Sequence, residues 1–480
     1  MKTPHLRPLV LPLVLLLAAC AARPEEPVHT TLFRPGDHGS KYYRIPALAT
    51  TAEGTLLAVA DRRNDSQGDL PNAIDLVVRR STDNGRTWSD QVPIALHTAE
   101  TGYGDAALVT DRTSGDILCI FASGCGLRAS TAEHPLDVNV SRSRDNGRTW
   151  SAPERITPQI YGPGCDNPAA DSLSGLFAAS GRALQLADGT LLFAAAAHRT
   201  GTKWPPLYNY VCLSGDGGRT WRLLPAAASD CGDEAKLAEL ADGGWLMSIR
   251  NPDKGCRRFA VSHDRGATWS PVGTWSDLPD PACNGDLLRY SLRSEGASRD
   301  RLLHSIPADT AERRNVSVAL SYDEGRTWPV RKTVWEGPAG YSSLTRLADG
   351  GIGLLTEVGD WDSGFEIRFT RLSIDWLTDG ADDGGKRTAA VSRHPDAPIR
   401  PPRHANARSS FEELRAFFPV RFRCYTSPEK PMKAMARMLA VMSAMGTPRN
   451  AAGTSSNSSR SRIPAKSTSA RPNPKAVATE

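Results

Sequence analysis

The sequence predicts an all-β fold, a six-bladed β-propeller with four-stranded antiparallel blades. Three observations lead there: an octapeptide, S-x-D-x-G-x-T-W, recurs five times, a looser motif recurs six times, and the two alternate along the chain. Self-similarity at intervals of 48 to 74 residues suits one small sheet per unit, the pattern of a propeller or solenoid. The abundance of glycine (41) and proline (35) favours turn-rich β structure over a helical bundle.

The looser motif is a small polar turn followed by an apolar strand. In the first unit it reads AEGTLLAVA around Gly54, and an alternating strand, Ile74 to Arg79, leads to the octapeptide STDNGRTW at Ser81. The second unit pairs SGDILCIFA, around Gly115, with SRDNGRTW at Ser143. The third pairs ADGTLLFAA, around Gly189, with SGDGGRTW at Ser214, and the fourth pairs ADGGWLMSI, around Gly243, with SHDRGATW at Ser262. SRDRLLHSI around Asp300 precedes SYDEGRTW at Ser321, and ADGGIGLLT around Gly350 has no octapeptide after it. A unit without one is expected where the chain termini close a ring. The octapeptide is a hairpin turn: Asp accepts backbone N–H groups, Gly takes the positive φ, and Trp folds back as an apolar anchor. These residues are structural.

Outside the repeats the composition changes. Lys2 and Arg7 precede an apolar run from Leu9 to Leu17 that is too short to span a membrane and reads as an export signal. Its end, Leu17-Ala18-Ala19-Cys20, resembles the bacterial lipoprotein cleavage box. That implies lipidation of Cys20, membrane attachment through the acyl anchor, and a place in the cell envelope. The expected layout is a signal peptide over 1–20, a linker over 21–30, a propeller over 31–377 and a basic low-complexity tail over 378–480. All 11 Trp precede residue 377, whereas five of seven Met fall between Met432 and Met445. The tail reads as disordered beyond Asn450; its Met-rich part reads either as a basic amphipathic helix or as sequence without selected function.

Charge excludes one class of partner. The net charge of +5 comes from the tail, where 18 Lys and Arg oppose 7 Asp and Glu after residue 380. The preceding residues are mildly acidic, so nucleic acid is not a predicted partner. Export permits disulfides, with Cys119/Cys125 and Cys231/Cys256 as candidate pairs. There is no CxxC spacing to suggest zinc.

Residues 31–377 resemble the bacterial and animal exo-sialidases of glycoside hydrolase family 33, in which the octapeptide is called the Asp-box or BNR repeat. Asp-boxes occur in other propellers; scattered polar residues make the likeness specific. Tyr43-Arg44-Ile45-Pro46 matches the family's arginine-isoleucine-proline signature, Arg250 closes the strand Leu246 to Ile249, and Arg313 stands in RRNVSV beside Arg314, its rival. The resemblance implies that Arg44, Arg250 and Arg313 clamp the sialic acid carboxylate. Guanidinium groups stay charged and bind carboxylates in bidentate fashion.

Tyr341, in Gly340-Tyr341-Ser342-Ser343, matches the family's nucleophile, and Glu234 its partner base. Glu234 precedes Arg250 by 16 residues across a turn at Asp242-Gly243, so both can face one end of a hairpin. Asp69, in Gly68-Asp69-Leu70-Pro71, stands where the family keeps its acid/base aspartate, with Asp65 and Asp75 as alternatives. Arg63 resembles an arginine lining the pocket near the substrate's 4-hydroxyl, with Arg62 on the opposite face. The implied activity is hydrolysis of terminal sialic acids from sialylated glycans with retained configuration, by a monomer needing no metal or cofactor. Transfer of sialic acid to another sugar or within the same molecule is the alternative, and a non-catalytic sialoglycan-binding propeller is a third reading.

Overall fold

A computed structural model describes residues 24–385. The export signal, Cys20 and most of the basic tail lie outside the described residues. The chain folds into antiparallel sheets in sequence order, an all-β propeller. The first sheet consists of Tyr42–Thr50, Leu56–Arg63, Ile74–Ser81 and Val92–Ala95. The second consists of Tyr103–Thr110, Ile117–Ser123, Asp137–Ser143 and Glu154–Arg155, and the short strand Gly181–Arg182 joins it in parallel. A third sheet is built on Leu173–Ala178, Leu191–Arg199 and Leu207–Ser214. The fourth consists of Ala235–Glu239, Trp245–Ile249, Gly255–Ser262 and Gly273–Asp280.

The last stretch of chain departs from simple four-strand units. Hydrogen bonding joins seven strands into one sheet because Val330–Arg346 is a single 17-residue strand. Its first half pairs with Arg314–Ser321 and its second half with Ile352–Asp360. Gly337, at φ +94°, lies between Trp335 and Pro338, where the register with Arg314–Ser321 shifts, and its N–H donates to the Asn315 side chain at 3.0 Å. The opposite edge of this sheet is completed by the N-terminal strand, Val28–Phe33, which pairs with Gly364–Leu372. Start and end of the described chain are thereby hydrogen-bonded together.

Each octapeptide sits where the third strand of its unit ends, and in all five the Thr hydroxyl and backbone N–H donate to the box Asp, whereas only Trp88 and Trp221 return an indole hydrogen bond to the box glycine. In the first, Asp83 Oδ1 accepts from Arg86 N and Thr87 N at 3.0 and 2.9 Å, and Thr87 Oγ1 donates to Asp83 Oδ2 at 2.6 Å. The Trp88 indole donates back to Gly85 O at 3.1 Å. All five glycines have positive φ, from +79° to +86°. A Cβ on Gly85, Gly147, Gly218 or Gly325 would strike Phe369, Leu57, Leu118 or Leu246 of the neighbouring unit. The repeat therefore sets the packing between sheets as well as its own turn. Between the first two sheets, Leu57, Val59, Leu76 and Val78 bury against Leu108, Ile117, Cys119 and Phe121. Such burial stabilises by about 25 cal/mol per Å² of apolar surface.

Order runs past residue 377: buried Arg301 pairs with Asp382 at 2.7 Å, and Tyr322 donates to the same carboxylate at 2.9 Å. The expected disulfides are absent, for the seven cysteines from Cys119 to Cys283 are all free thiols. Cys119 is buried between the first two sheets, whereas Cys125 packs with Leu127 and Phe177 in a separate cluster. Cys231 and Cys256 address different partners, Ser229 and the Ser276 carbonyl.

Candidate active site

The site is built at the ends of the inner strands, and irregular backbone aims it. Register shifts interrupt the ladders between Arg44 and Ala47, between Gly104 and Ala107, and between Ala339 and Ser342. Bulges of this kind redirect side chains, and here they carry Arg44, Asp105 and Tyr341 into one cavity of about 520 Å³. Ile45, a β-branched residue at φ +58°, marks the first bulge as strained backbone.

Arg44, Arg250 and Arg313 all reach this cavity, together with Asp69, Glu234 and Tyr341. Arg44 is held from behind by Glu357 through two hydrogen bonds, Nε at 2.8 Å and Nη2 at 3.1 Å. The same carboxylate accepts Ile45 N and Tyr341 N, both at 2.8 Å. Burial pushes the Glu357 pKa up, but Arg44 and the backbone donors outweigh it and hold the group below its ordinary value. Gly340 is required here because a Cβ would collide with Glu357 Oε2. In front, Arg44 lies under the Trp361 indole, 4.4 Å from its centroid.

The Tyr341 hydroxyl donates to Glu234 Oε2 at 2.9 Å and accepts from Arg250 Nη1 at 3.0 Å. Arg250 also pairs directly with Glu234, and the Arg313 guanidinium lies 5.6 Å from the Tyr341 ring centroid. Burial, then Glu234, pushes the Tyr341 phenol well above its ordinary pKa, with Arg250, Arg313 and Arg44 opposing. The resting hydroxyl is a neutral phenol beside a carboxylate acceptor. Arg313 donates to Ala282 O at 2.7 Å, whereas Arg314 points outward to Asp309 at 3.0 Å. Only Arg313 lines the cavity.

Asp69 sits on the exposed loop after Leu56–Arg63, its side chain 76% exposed and 2.9 Å from Arg63 Nη2. Asp75 is consumed elsewhere, by Arg62 at 2.9 Å and His97 at 2.7 Å, and Asp65 is exposed outside the cavity. Arg63 departs from expectation. Its side chain is 1% exposed and it does not line the cavity, because Asp61 at 3.1 Å and Asp69 take its guanidinium. Arg62 does occupy the other face, on Asp75.

A BNR repeat-like domain model matches residues 54–354. A sialidase from Micromonospora viridifaciens is 34% identical over 378 residues, covering 73% of this chain and 55% of the relative. A sialidase from Paraclostridium sordellii is 30% identical over 280 residues, covering 54% of this chain and 68% of that protein. Among solved structures, the Hadza microbial sialidase Hz136 superposes with a TM-score of 0.64 at 29% identity, over 73% of this chain and 69% of its own. The chain belongs to the BNR-repeat sialidase family. It spans little more than half of the Micromonospora sialidase, 55% of its length.

Within this sialidase-family site, three acidic residues escaped sequence reasoning. Asp105, at φ +61°, lines the cavity, and burial followed by the charges of Asp61 and Asp69 pushes its pKa well up. Asp61 lies behind it, raised to about 7 by burial despite Arg63. Glu357 is the third. Each is a lone acid in an apolar run (LLAVADRR, GYGDAALV, GLLTEVG), and that isolation was the available signal. Among the described residues no group of His, Cys, Asp and Glu is arranged to hold a metal ion.

Proposed function

We propose that the protein is an exo-α-sialidase that hydrolyses terminal sialic acids from glycoproteins, glycolipids and oligosaccharides with retained configuration. The observation that carries this reading is the three-way contact of Tyr341 with Glu234 and Arg250, flanked by Arg44 and Arg313. Three guanidinium groups around one phenol suit a substrate whose reacting carbon bears a carboxylate. An Asp or Glu nucleophile would be repelled by that carboxylate, and a neutral phenol is not; sialidases use tyrosine here.

A free phenol with a pKa near 10 is ionised to roughly one part in a thousand at neutral pH, so a base must act as it attacks. Glu234 takes the Tyr341 proton while the phenolic oxygen bonds to the anomeric carbon. The glycosidic bond breaks, and its oxygen leaves with the Asp69 proton. Water then gives a proton to Asp69 and attacks the same carbon, and Tyr341 departs, recovering its proton from Glu234. Two inversions give retention. Asp105 supplies an acceptor for a substrate hydroxyl, and Arg63 governs that corner by holding Asp61 and Asp69.

The architecture we assign to this enzyme is a six-bladed propeller spanning about 31–377. Four sheets stand alone, and the seven-stranded sheet counts as two blades sharing Val330–Arg346. Export with an acyl anchor on Cys20 completes the proposal; Cys20→Ser should abolish fatty-acid labelling. The activity is tested with the full chain on a fluorogenic α-sialoside, following the anomer released by proton NMR. α-Sialic acid as first product is expected, whereas the β anomer would overturn the double displacement. An added lactose acceptor distinguishes hydrolysis from transfer.

A further inference from the structure

Beneath the cavity lies a buried charge that the reaction as described does not use. Lys236 is fully buried on the strand Ala235–Glu239, two residues beyond Glu234. An ammonium in such a place is costly unless held. No carboxylate lies within ion-pair distance of its Nζ among the described residues; Nζ donates instead to the amide oxygen of Asn284 at 2.7 Å. Asn284 Nδ2 donates to Ser180 Oγ at 3.1 Å, and Ser180 Oγ donates to Glu234 Oε1 at 3.3 Å. All four residues are buried.

The direction of this chain is dictated from its far end. An ammonium only donates, so Asn284 must present oxygen to Lys236 and its NH₂ to Ser180. Ser180 Oγ, having accepted that hydrogen, sends its own to Glu234. Oε1 is thus occupied by a donor, which leaves Oε2 for the Tyr341 hydroxyl. Hydrogen bonds aligned in one sense also polarise one another. We propose that Lys236, acting through Asn284 and Ser180, is a positioning residue that keeps Glu234 aimed at the Tyr341 phenol as a hydrogen-bond acceptor. The inference rests on reading Glu234 as the base for Tyr341.

Burial brings the Lys236 pKa down to about 8, with Asp286 and Glu234 opposing that fall and Arg257 and Arg182 adding to it. Nearby His304 is held well below its ordinary value by burial and then by Arg257 and Lys236, so it adds no charge near neutrality. Asp286 is satisfied by Arg182 at 3.1 Å and by Leu344 N at 2.6 Å. Lys236 is therefore the cation nearest the Asn284 end of the chain. Without it, Asn284 keeps its Nδ2 bond to the Ser180 carbonyl at 3.2 Å but loses the ammonium that anchors its oxygen, so the amide shifts off Ser180 Oγ and the bond from that hydroxyl to Glu234 slackens. A carboxylate that loses a donor holds a proton more readily, and a Glu234 that already carries a proton cannot take the one from Tyr341.

The test compares wild type, Lys236→Met, Lys236→Gln and Ser180→Ala as full chains, with kcat and KM on a fluorogenic sialoside from pH 4 to 9. Lys236→Met should lower kcat roughly tenfold, leave KM within about twofold, and move the acid limb of kcat/KM up by about one pH unit. Lys236→Gln, which keeps a donor toward Asn284, should lie between. Ser180→Ala should move the limb in the same direction with Lys236 in place. An unshifted acid limb in Ser180→Ala, or an effect confined to KM, overturns the role of Lys236; Ser180→Ala decides alone if the Lys236 variants fail to fold. No turnover by folded wild type would overturn the sialidase reading instead.

Discussion

Glu357→Ala is the perturbation whose consequences follow most directly from the structure. That carboxylate accepts four hydrogen bonds, from Arg44 Nε, Arg44 Nη2, Ile45 N and Tyr341 N. It is fully buried, so its removal leaves the Arg44 charge buried without its counter-ion. Breaking a buried pair in this way costs about 3–5 kcal/mol. At about 2.1 cal/mol/K of unfolding entropy per residue over the described chain, Tm should fall by about 4–7 °C. Activity should suffer separately. A misaimed Arg44 loses a charge-assisted contact of about 1.5–3 kcal/mol to the substrate carboxylate, a roughly 10- to 150-fold loss in kcat/KM. Scanning calorimetry and steady-state kinetics read the two effects. Glu357→Ala with wild-type Tm and kcat/KM would refute the claim that this carboxylate organises both Arg44 and Tyr341.

Other expectations are narrower. Tyr341→Phe should lose at least 10³-fold in kcat with its fold intact by circular dichroism; near-normal turnover would remove it as nucleophile. In Asp69→Ala, kcat/KM should fall on sialosides with sugar leaving groups and change little on those with acidic phenols, because only the former need protonation to leave, whereas kcat should fall on both because Asp69 also takes the proton of the attacking water. Arg313→Ala should raise KM at least tenfold while Arg314→Ala stays within about twofold, measured on the same sialoside. The fold should also weaken in acid. Hydrogen bonds from the box threonine hold Asp83 and Asp264 at about 2, and in Asp145 and Asp216 the same bonds overcome burial to reach about 2. A depressed carboxylate stabilises the fold above its unfolded value near 4 and loses that contribution as pH falls toward 2. Calorimetric Tm should therefore drop across that window, and less so in Asp216→Asn.

How much of this was legible in the sequence depends on the kind of physics involved. The octapeptide turns were readable because Asp, Gly, Thr and Trp each perform a local task that repeats with the chain. Strand alternation exposed the units, and the family resemblance indicated which scattered residues to examine. Arg44, Arg250, Arg313, Glu234 and Tyr341 come from four stretches of sequence, and the structure brings them to one cavity with Asp69 at its edge. Long-range pairing was not readable. Glu357 lies 313 residues from Arg44, and nothing local marks their contact. Arg63 looked like a pocket residue because it ends a strand beside the loop, but buried Asp61 draws its guanidinium inward and exposed Asp69 covers it from the loop side. The bulges at Arg44, Gly104 and Ala339 were hidden because one inserted residue scarcely disturbs an apolar pattern. Likewise Lys236, in DEAKLAEL, resembles a solvated lysine; only the neighbouring inner segments reveal its burial.

The account turns on Tyr341 bonding covalently to the sugar, and trapping that species tests it most directly. The full chain would be incubated with a 2,3-difluoro sialic acid, digested, and its peptides mapped by mass spectrometry. The expected result is one sialyl adduct on Tyr341, absent from Tyr341→Phe. An adduct on another residue, or none on enzyme that the reagent inactivates, would contradict the account.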